Sequence, residues 1–210
     1  MNERDDRGAR TLTIGLTGPI GCGKSTVAHW LGERPGVVVI DADRVARDVL
    51  AADTPELDAV YARFGTDLRG PDGTLDRAAL GRVVFADPEA LRDLEAIVHP
   101  AVRPRILAAL EAADDAGAAV VVIEAIKLVE GGLAELCDEV WLVTCGPDVQ
   151  LERLVGRGSP EPEARARIAA QGDLAARLRP AASQVLDTDD APSTVRSRAL
   201  DLLGRARAAH

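Results

Sequence analysis

The sequence predicts an α/β fold: a five-stranded, mostly parallel sheet flanked by helices, with a helical insertion and an arginine-rich lid. Three observations carry that expectation. A glycine-rich turn, Gly18-Pro19-Ile20-Gly21-Cys22-Gly23-Lys24-Ser25, fits G-x-x-x-x-G-K-[ST] and lies between an apolar run and a helical pattern. Compact runs rich in valine and isoleucine recur and lead into acidic residues, as buried parallel strands do when chemistry sits at their carboxyl ends. After the second such run, residues 44–117 carry helical periodicity without a strand.

Thr11, Leu12, Ile14 and Leu16 read as the first strand. Ser25 to Leu31 reads as the start of a helix with Val27, Trp30 and Leu31 on one face. The motif between them names a mechanism. Backbone N–H groups cradle phosphates, the lysine reaches the β- and γ-phosphates, and the hydroxyl faces Mg²⁺. Gly18, Gly21, Cys22, Gly23, Lys24, Ser25 and Thr26 are the expected nucleotide-binding residues. The chain has two lysines, Lys24 and Lys127, its other basic residues being arginines. It keeps one lysine where a compact ammonium on a flexible stem must reach a phosphate.

Val37 to Ile40 is expected as a buried parallel strand ending in Asp41-Ala42-Asp43. A carboxylate there suits water-mediated Mg²⁺ binding or acceptance of a proton from a substrate hydroxyl. The plainer role for Asp43 is to cap the helix that begins near Arg44. The helical block follows, carrying Arg47, Arg77, Arg82, Arg103 and Arg105, either for an anionic acceptor or as solvated helix faces. His99-Pro100 breaks its pattern, so His99 reads as a helix boundary or as a substrate contact.

Ala119 to Ile123 is the third expected strand, with Glu124 at its end in the manner of a Walker-B carboxylate. Glu139 to Thr144 is the fourth. Pro147 to Arg157 is expected as a helix with Arg153 and Arg157 one turn apart on one face. Two short helices follow, with Arg165, Arg167, Arg177 and Arg179. They suit a mobile lid over phosphates, or a solvated pair neutralised by Glu161 and Glu163. Gln184 to Leu186 is a short fifth strand. Pro192 opens a closing helix to about Arg207, with Val195, Leu200, Leu202 and Leu203 inward.

At 210 residues the chain can bury one good core, and with 2% aromatic content that core must be aliphatic. A net charge of −9 argues against nucleic acid or an anionic membrane as partner. Cys22, Cys137 and Cys145 are odd in number, lack metal spacing and read as reduced thiols. Residues 1–10 are polar and resemble no leader, so a disordered tail on a cytoplasmic protein is expected. A monomer or weak homo-oligomer acting on a small molecule is expected. Residues 11–210 read as one domain, with core segments 11–43, 118–156 and 180–210, a helical block 44–117 and a lid 157–179. The only asparagine is Asn2, so the guanine-reading N-K-x-D motif is impossible.

The order of these features resembles the dephospho-CoA kinases over nearly the whole chain after residue 10. The most specific matches are Ile14-Gly15-Leu16-Thr17-Gly18, Ile40-Asp41-Ala42-Asp43 with Ala46-Arg47, and Asp72-Gly73-Thr74-Leu75-Asp76-Arg77. Val84-Phe85-Ala86-Asp87-Pro88, Leu94-Glu95-Ala96-Ile97-Val98-His99-Pro100 and Arg167-Ile168-Ala169-Ala170-Gln171 complete the set. The resemblance implies a P-loop kinase fold and transfer of the ATP γ-phosphoryl group to the ribose 3′-hydroxyl of dephospho-CoA. A kinase of the same fold acting on a nucleoside or nucleotide hydroxyl is the alternative, and a nucleotide-binding regulator a third. Carried over, Asp43 is the base and Lys24 and the loop hold ATP. Ser25 holds Mg²⁺, and Glu124, from its place at the strand end, is expected to serve the metal's outer shell. Arg153, Arg157 and Arg177 neutralise transition-state charge. Thr17, Arg47, Arg77, His99, Lys127 and Arg177 lie on the acceptor side, and Thr188 stands where the family has an asparagine near the base.

Three departures stand out. Pro19 replaces the family's second loop glycine. Glu124-Ala125-Ile126-Lys127-Leu128-Val129-Glu130 replaces D-I-P-L-L-F-E, and Val185-Leu186-Asp187-Thr188 replaces V-I-D-N. Lys127 is placed either to meet an anionic group on the acceptor or to pair with Glu124 or Glu130.

Overall fold

The computed structural model describes residues 10–70 and 73–210. Residues 1–9 of the expected tail and Pro71-Asp72 of the expected turn lie outside them. The last tail residue, Arg10, is described and donates from Nη2 to Asp138 Oδ1 at 2.5 Å. The chain divides into two compact units, one of residues 10–41 with 110–210 and one of residues 42–109.

The first unit is a five-stranded parallel sheet in the order β2-β3-β1-β4-β5. Its strands are β1 (Leu12–Thr17), β2 (Val37–Asp41), β3 (Val120–Glu124), β4 (Glu139–Thr144) and β5 (Gln184–Asp187). All six residues of β1 and all five of β3 are buried, which is why these runs are near-continuously apolar. Side chains alternate between faces. Trp141 and Val143 of β4 join the cluster with α1 (Lys24–Gly32) and α9 (Pro192–Ala209), through Val27, Leu31, Ala199 and Leu203. Leu142, between them, packs instead with Leu174 and Leu178 of α8 (Leu174–Leu178).

The middle of β1 is Gly15 for a packing reason. A β-carbon there would lie 2.5 Å from Leu128 Cδ2 and 2.8 Å from Cys137 Sγ, so both side chains occupy the missing space.

One strand differs from expectation. β2 is an edge strand rather than a buried one, because it pairs with β3 alone; Val38 and Val39 are 37% and 36% exposed.

The second unit contains α2 (Ala42–Val49), α3 (Pro55–Phe64), α4 (Arg77–Ala86) and most of α5 (Pro88–Asp115). Thr54 Oγ1 accepts from Leu57 N–H, and Asp76 Oδ1 from Ala79 N–H, so α3 and α4 each begin on a side-chain cap. The unit has no named strand among its described residues, only an isolated antiparallel bridge between Arg69 and Leu75.

The expected break at His99-Pro100 does not occur. α5 runs through both Pro100 and Pro104. Each proline removes a helical hydrogen bond. Val98, Val102 and Ile106 nevertheless form one buried stripe at four-residue spacing, so packing continues across the gap. His99 is an exposed residue inside that helix.

Candidate active site

The sheet brings its carboxyl ends to one edge, and the first unit assembles a site there. Strand register pairs Glu124 with Leu16 of β1 on one side and with Asp41 of β2 on the other. The turn between β1 and α1 rises from the centre of this edge, where open α/β sheets bind ligands.

Three glycines of the turn, Gly18, Gly21 and Gly23, have positive φ, and two of them show why. Gly18 has φ 144°, and a β-carbon on it would lie 2.1 Å from the Val143 carbonyl oxygen. Gly23 has φ 89° and forms the N-cap of α1 without a side-chain hydrogen bond, and the first turn of α1 holds no acidic residue. The helix therefore offers its leading N–H groups and the positive end of its dipole to an anion.

Lys24 opens α1 and is buried, with Nζ donating to the Pro19 carbonyl at 3.2 Å. Ser25 Oγ donates to Glu124 Oε1 at 2.6 Å. Glu124 is 8% exposed. The pair presents two hard oxygens of the kind magnesium takes. No cluster of three or more His, Cys, Asp or Glu suited to a metal occurs among the described residues. An open cavity of about 450 Å³ begins at this pair and follows α1 past His29 and Gly32 to Val39. Thr17 is fully buried at the end of β1, where its hydroxyl donates to the Ile126 carbonyl at 3.2 Å.

Arg153 arrives from α6 (Pro147–Gly156). Nη1 donates to Thr188 Oγ1 at 2.8 Å and Nη2 to the Thr188 carbonyl at 2.6 Å. The Thr188 hydroxyl lies 2.9 Å from the Cys22 carbonyl and 3.1 Å from that of Thr144, either of which can accept its proton. Thr188 is thus a buried hub between α6, β4 and the phosphate loop. A β-carbon on Gly23 would meet Arg153 Nη1 at 3.6 Å, which puts the guanidinium against the loop.

The cysteine expectation is corrected. Cys22 and Cys145 form a disulfide with Cα atoms 5.1 Å apart, and Cys137 alone is a free thiol. The partners are 123 residues apart in sequence. They meet because β1 and β4 are neighbours, so the loop after β1 lies beside the residue that follows β4. Burial, reinforced by the Asp138 charge, pushes the Cys137 thiol up to about 12.

The other expected residues are distributed as follows. Arg157 is exposed at the carboxyl end of α6. In α7 (Glu161–Gln171), Arg165 bonds Glu161 at 2.7 Å and Arg167 lies 4.0 Å from Glu163. Arg177 of α8 donates from Nη2 to the Gln171 carbonyl at 3.2 Å. Lys127 is exposed in the turn after β3, and its carbonyl accepts from Gly131 N–H.

In the second unit, Asp43 and Arg47 lie on α2, Asp43 in its first turn. Arg77 donates from Nη2 to the Arg47 carbonyl at 2.7 Å, satisfying the carboxyl end of α2.

Two loop contacts were not assigned from sequence. Gln150 Nε2 donates to the Ile20 carbonyl at 2.6 Å, and Gln171 Oε1 accepts from Ile20 N–H at 2.9 Å. A signal existed for the first. Gln150 lies one helical turn from Leu154 on the buried face of α6, and a polar residue there needs a partner.

A central strand, a glycine-rich turn, a buried lysine at a helix start and a serine–carboxylate pair at the carboxyl edge of a parallel sheet define a P-loop kinase fold. Comparison with known proteins narrows this. The family model described as dephospho-CoA kinase matches residues 12–192. A dephospho-CoA kinase of Streptomyces avermitilis is 52% identical over 181 residues, covering 85% of each chain. A Thermus thermophilus crystal structure is 33% identical with a TM-score of 0.78, over 93% of this chain and 97% of that one. Dephospho-CoA kinase from Campylobacter jejuni is 26% identical with a TM-score of 0.68, over 94% and 98%. The chain belongs to the dephospho-CoA kinase family.

Proposed function

We propose that the protein transfers the γ-phosphoryl group of ATP to the ribose 3′-hydroxyl of dephospho-CoA, giving CoA and ADP. The observation that carries this reading is the Ser25–Glu124 bond beside buried Lys24, in a chain of this family. Phosphoryl transfer needs little covalent help from a protein. Positioning and charge neutralisation supply most of the catalysis.

In this reading the N–H groups of Gly21 to Thr26 hold the phosphates and Lys24 meets the charge between β and γ. Gly18 keeps the turn tight enough for that approach. Ser25 and Glu124 would hold Mg²⁺, which when bound would supply charge neutralisation for the transferring phosphoryl group. Asp43 takes the proton as the acceptor oxygen bonds to phosphorus, and the bond to the ADP oxygen breaks. Arg153, Arg157 and Arg177 neutralise the transferring group.

Arg47, Arg77, His99, Lys127 and Thr17 serve the acceptor. Arg77 acts there largely through the shape of α2, whose end its guanidinium caps. Thr188 serves the nucleotide through Arg153 and the Cys22 carbonyl. Residues 44–117 hold the acceptor and 157–179 close as a lid. A cytoplasmic monomer or weak homo-oligomer suits a small-molecule enzyme with no nucleic-acid or membrane partner. No helix among the described residues is long and apolar enough to cross a membrane.

The test is ATP consumption with dephospho-CoA beside a panel of nucleosides and nucleotides. Turnover of dephospho-CoA, with D43N lowering kcat by about 10²–10⁴ and leaving ATP affinity intact, supports the reading. Turnover of a nucleoside with none of dephospho-CoA would replace it with the alternative acceptor.

A further inference from the structure

Ile20 is held at both of its backbone polar groups by glutamines from other elements. Its carbonyl accepts from Gln150 of α6 and its N–H donates to Gln171, the last residue of α7. Pro19 has no N–H, so the Ile20 amide is the first donor after Gly18 through which anything can grip the loop. The amide orientation of Gln171 follows from chemistry, because only its oxygen can accept a backbone proton.

The two grips differ in kind. Gln150 is buried on a helix that packs beneath the loop. Gln171 reaches the loop from a helix on which Ala164 is the buried residue. On a helix with one buried apolar residue, a single polar bond to the loop weighs in where its last turn rests. The main chain of Gln171 also matters, since its carbonyl accepts from Arg177 at 3.2 Å. One residue therefore touches the phosphate loop with its side chain and an arginine of the lid segment with its backbone.

We propose that Gln171 is a positioning residue that latches the lid segment to the phosphate loop through the Ile20 amide and thereby sets where Arg177 is held. Its catalytic consequence rests on the proposed roles of the loop and Arg177. The latch itself does not.

Amide hydrogen exchange of Ile20, followed by NMR on the whole chain, reads the latch directly. Q171M keeps side-chain length and loses the acceptor. Q171E keeps an accepting oxygen at the same reach. The expected result is Ile20 exchange about tenfold or more faster in Q171M, with α7 amides following and α9 amides unchanged. Q171E retains the Ile20 protection. Should Q171M fail to fold, Q171N, which withdraws the amide by a methylene, supplies the same comparison. Wild-type exchange at Ile20 in Q171M overturns the latch, as does equal loss of protection in Q171E.

In the same variants, kcat about tenfold lower in Q171M with KM for the acceptor unchanged supports the positioning role. Lost Ile20 protection with unchanged kcat overturns that role. Absence of turnover by the wild-type protein on dephospho-CoA counts against the proposed reaction, and the exchange result then still decides the latch.

Discussion

Arg153 grips Thr188 twice, through the hydroxyl at 2.8 Å and the carbonyl at 2.6 Å, while the same hydroxyl lies 2.9 Å from the Cys22 carbonyl of the phosphate loop. Thr188 sits 3% exposed inside the network. T188V keeps the shape and deletes the shared oxygen. It is expected to destabilise the protein by about 1–3 kcal/mol, because buried partners lose their hydrogen bonds. T188S is expected to recover most of that loss. Thermal or urea unfolding of the three proteins checks it.

Ser25 and Glu124 make a second pair whose removal is selective. S25A or E124Q is expected to shift the Mg²⁺ concentration for half-maximal activity upward by about 10–100-fold. S25A should leave the fold intact, since Ser25 is exposed, and E124Q keeps the shape of the buried Glu124 side chain. A magnesium titration of initial rate, beside an unchanged circular dichroism spectrum, is the measurement.

The Cys22–Cys145 bond closes a long loop of chain. Without reductant, the unfolded protein is expected to show one reactive thiol, Cys137, and with reductant three. Reduction, or the C145A substitution, is expected to lower stability by about 2–4 kcal/mol. Thiol titration and denaturant midpoints with and without dithiothreitol decide both.

Cys137 predicts a pH effect with a definite sign. Its thiol is raised from 9.0 to about 12 by burial and the Asp138 charge. The unfolded thiol ionises near 9 while the folded one stays protonated, so the folded state binds the extra proton between those values. This contribution is complete below about pH 9 and is lost as pH rises toward 12. Wild-type stability should fall across that window more steeply than that of C137A, and the native thiol should react slowly with iodoacetamide at pH 8.

What the sequence reveals here is local. The phosphate loop is contiguous, so its spacing, its lysine and its flanking strand and helix are all readable from residues 11–31. Runs such as Val120 to Ile123 announce buried strands because both faces are covered. Long-range contacts are a different matter. Val37 to Ile40 reads the same way, yet its strand is at the edge, and strand order is not written in a four-residue run. Cys145 and Gln171 reach the loop only because the sheet and α7 bring distant positions together. Pro100 illustrates the reverse limit, where a local helix breaker is overridden by the stripe of Val98, Val102 and Ile106.

The Val143 carbonyl beneath Gly18 has a thermodynamic consequence. With only hydrogen room between them, the height of the turn is set by the neighbouring strand and not by what binds above it. Ile20, Cys22 and Lys24 are tied down by separate partners as well. The shape of this turn is therefore held by the protein's own contacts at four separate points, which leaves it little freedom to lose on binding.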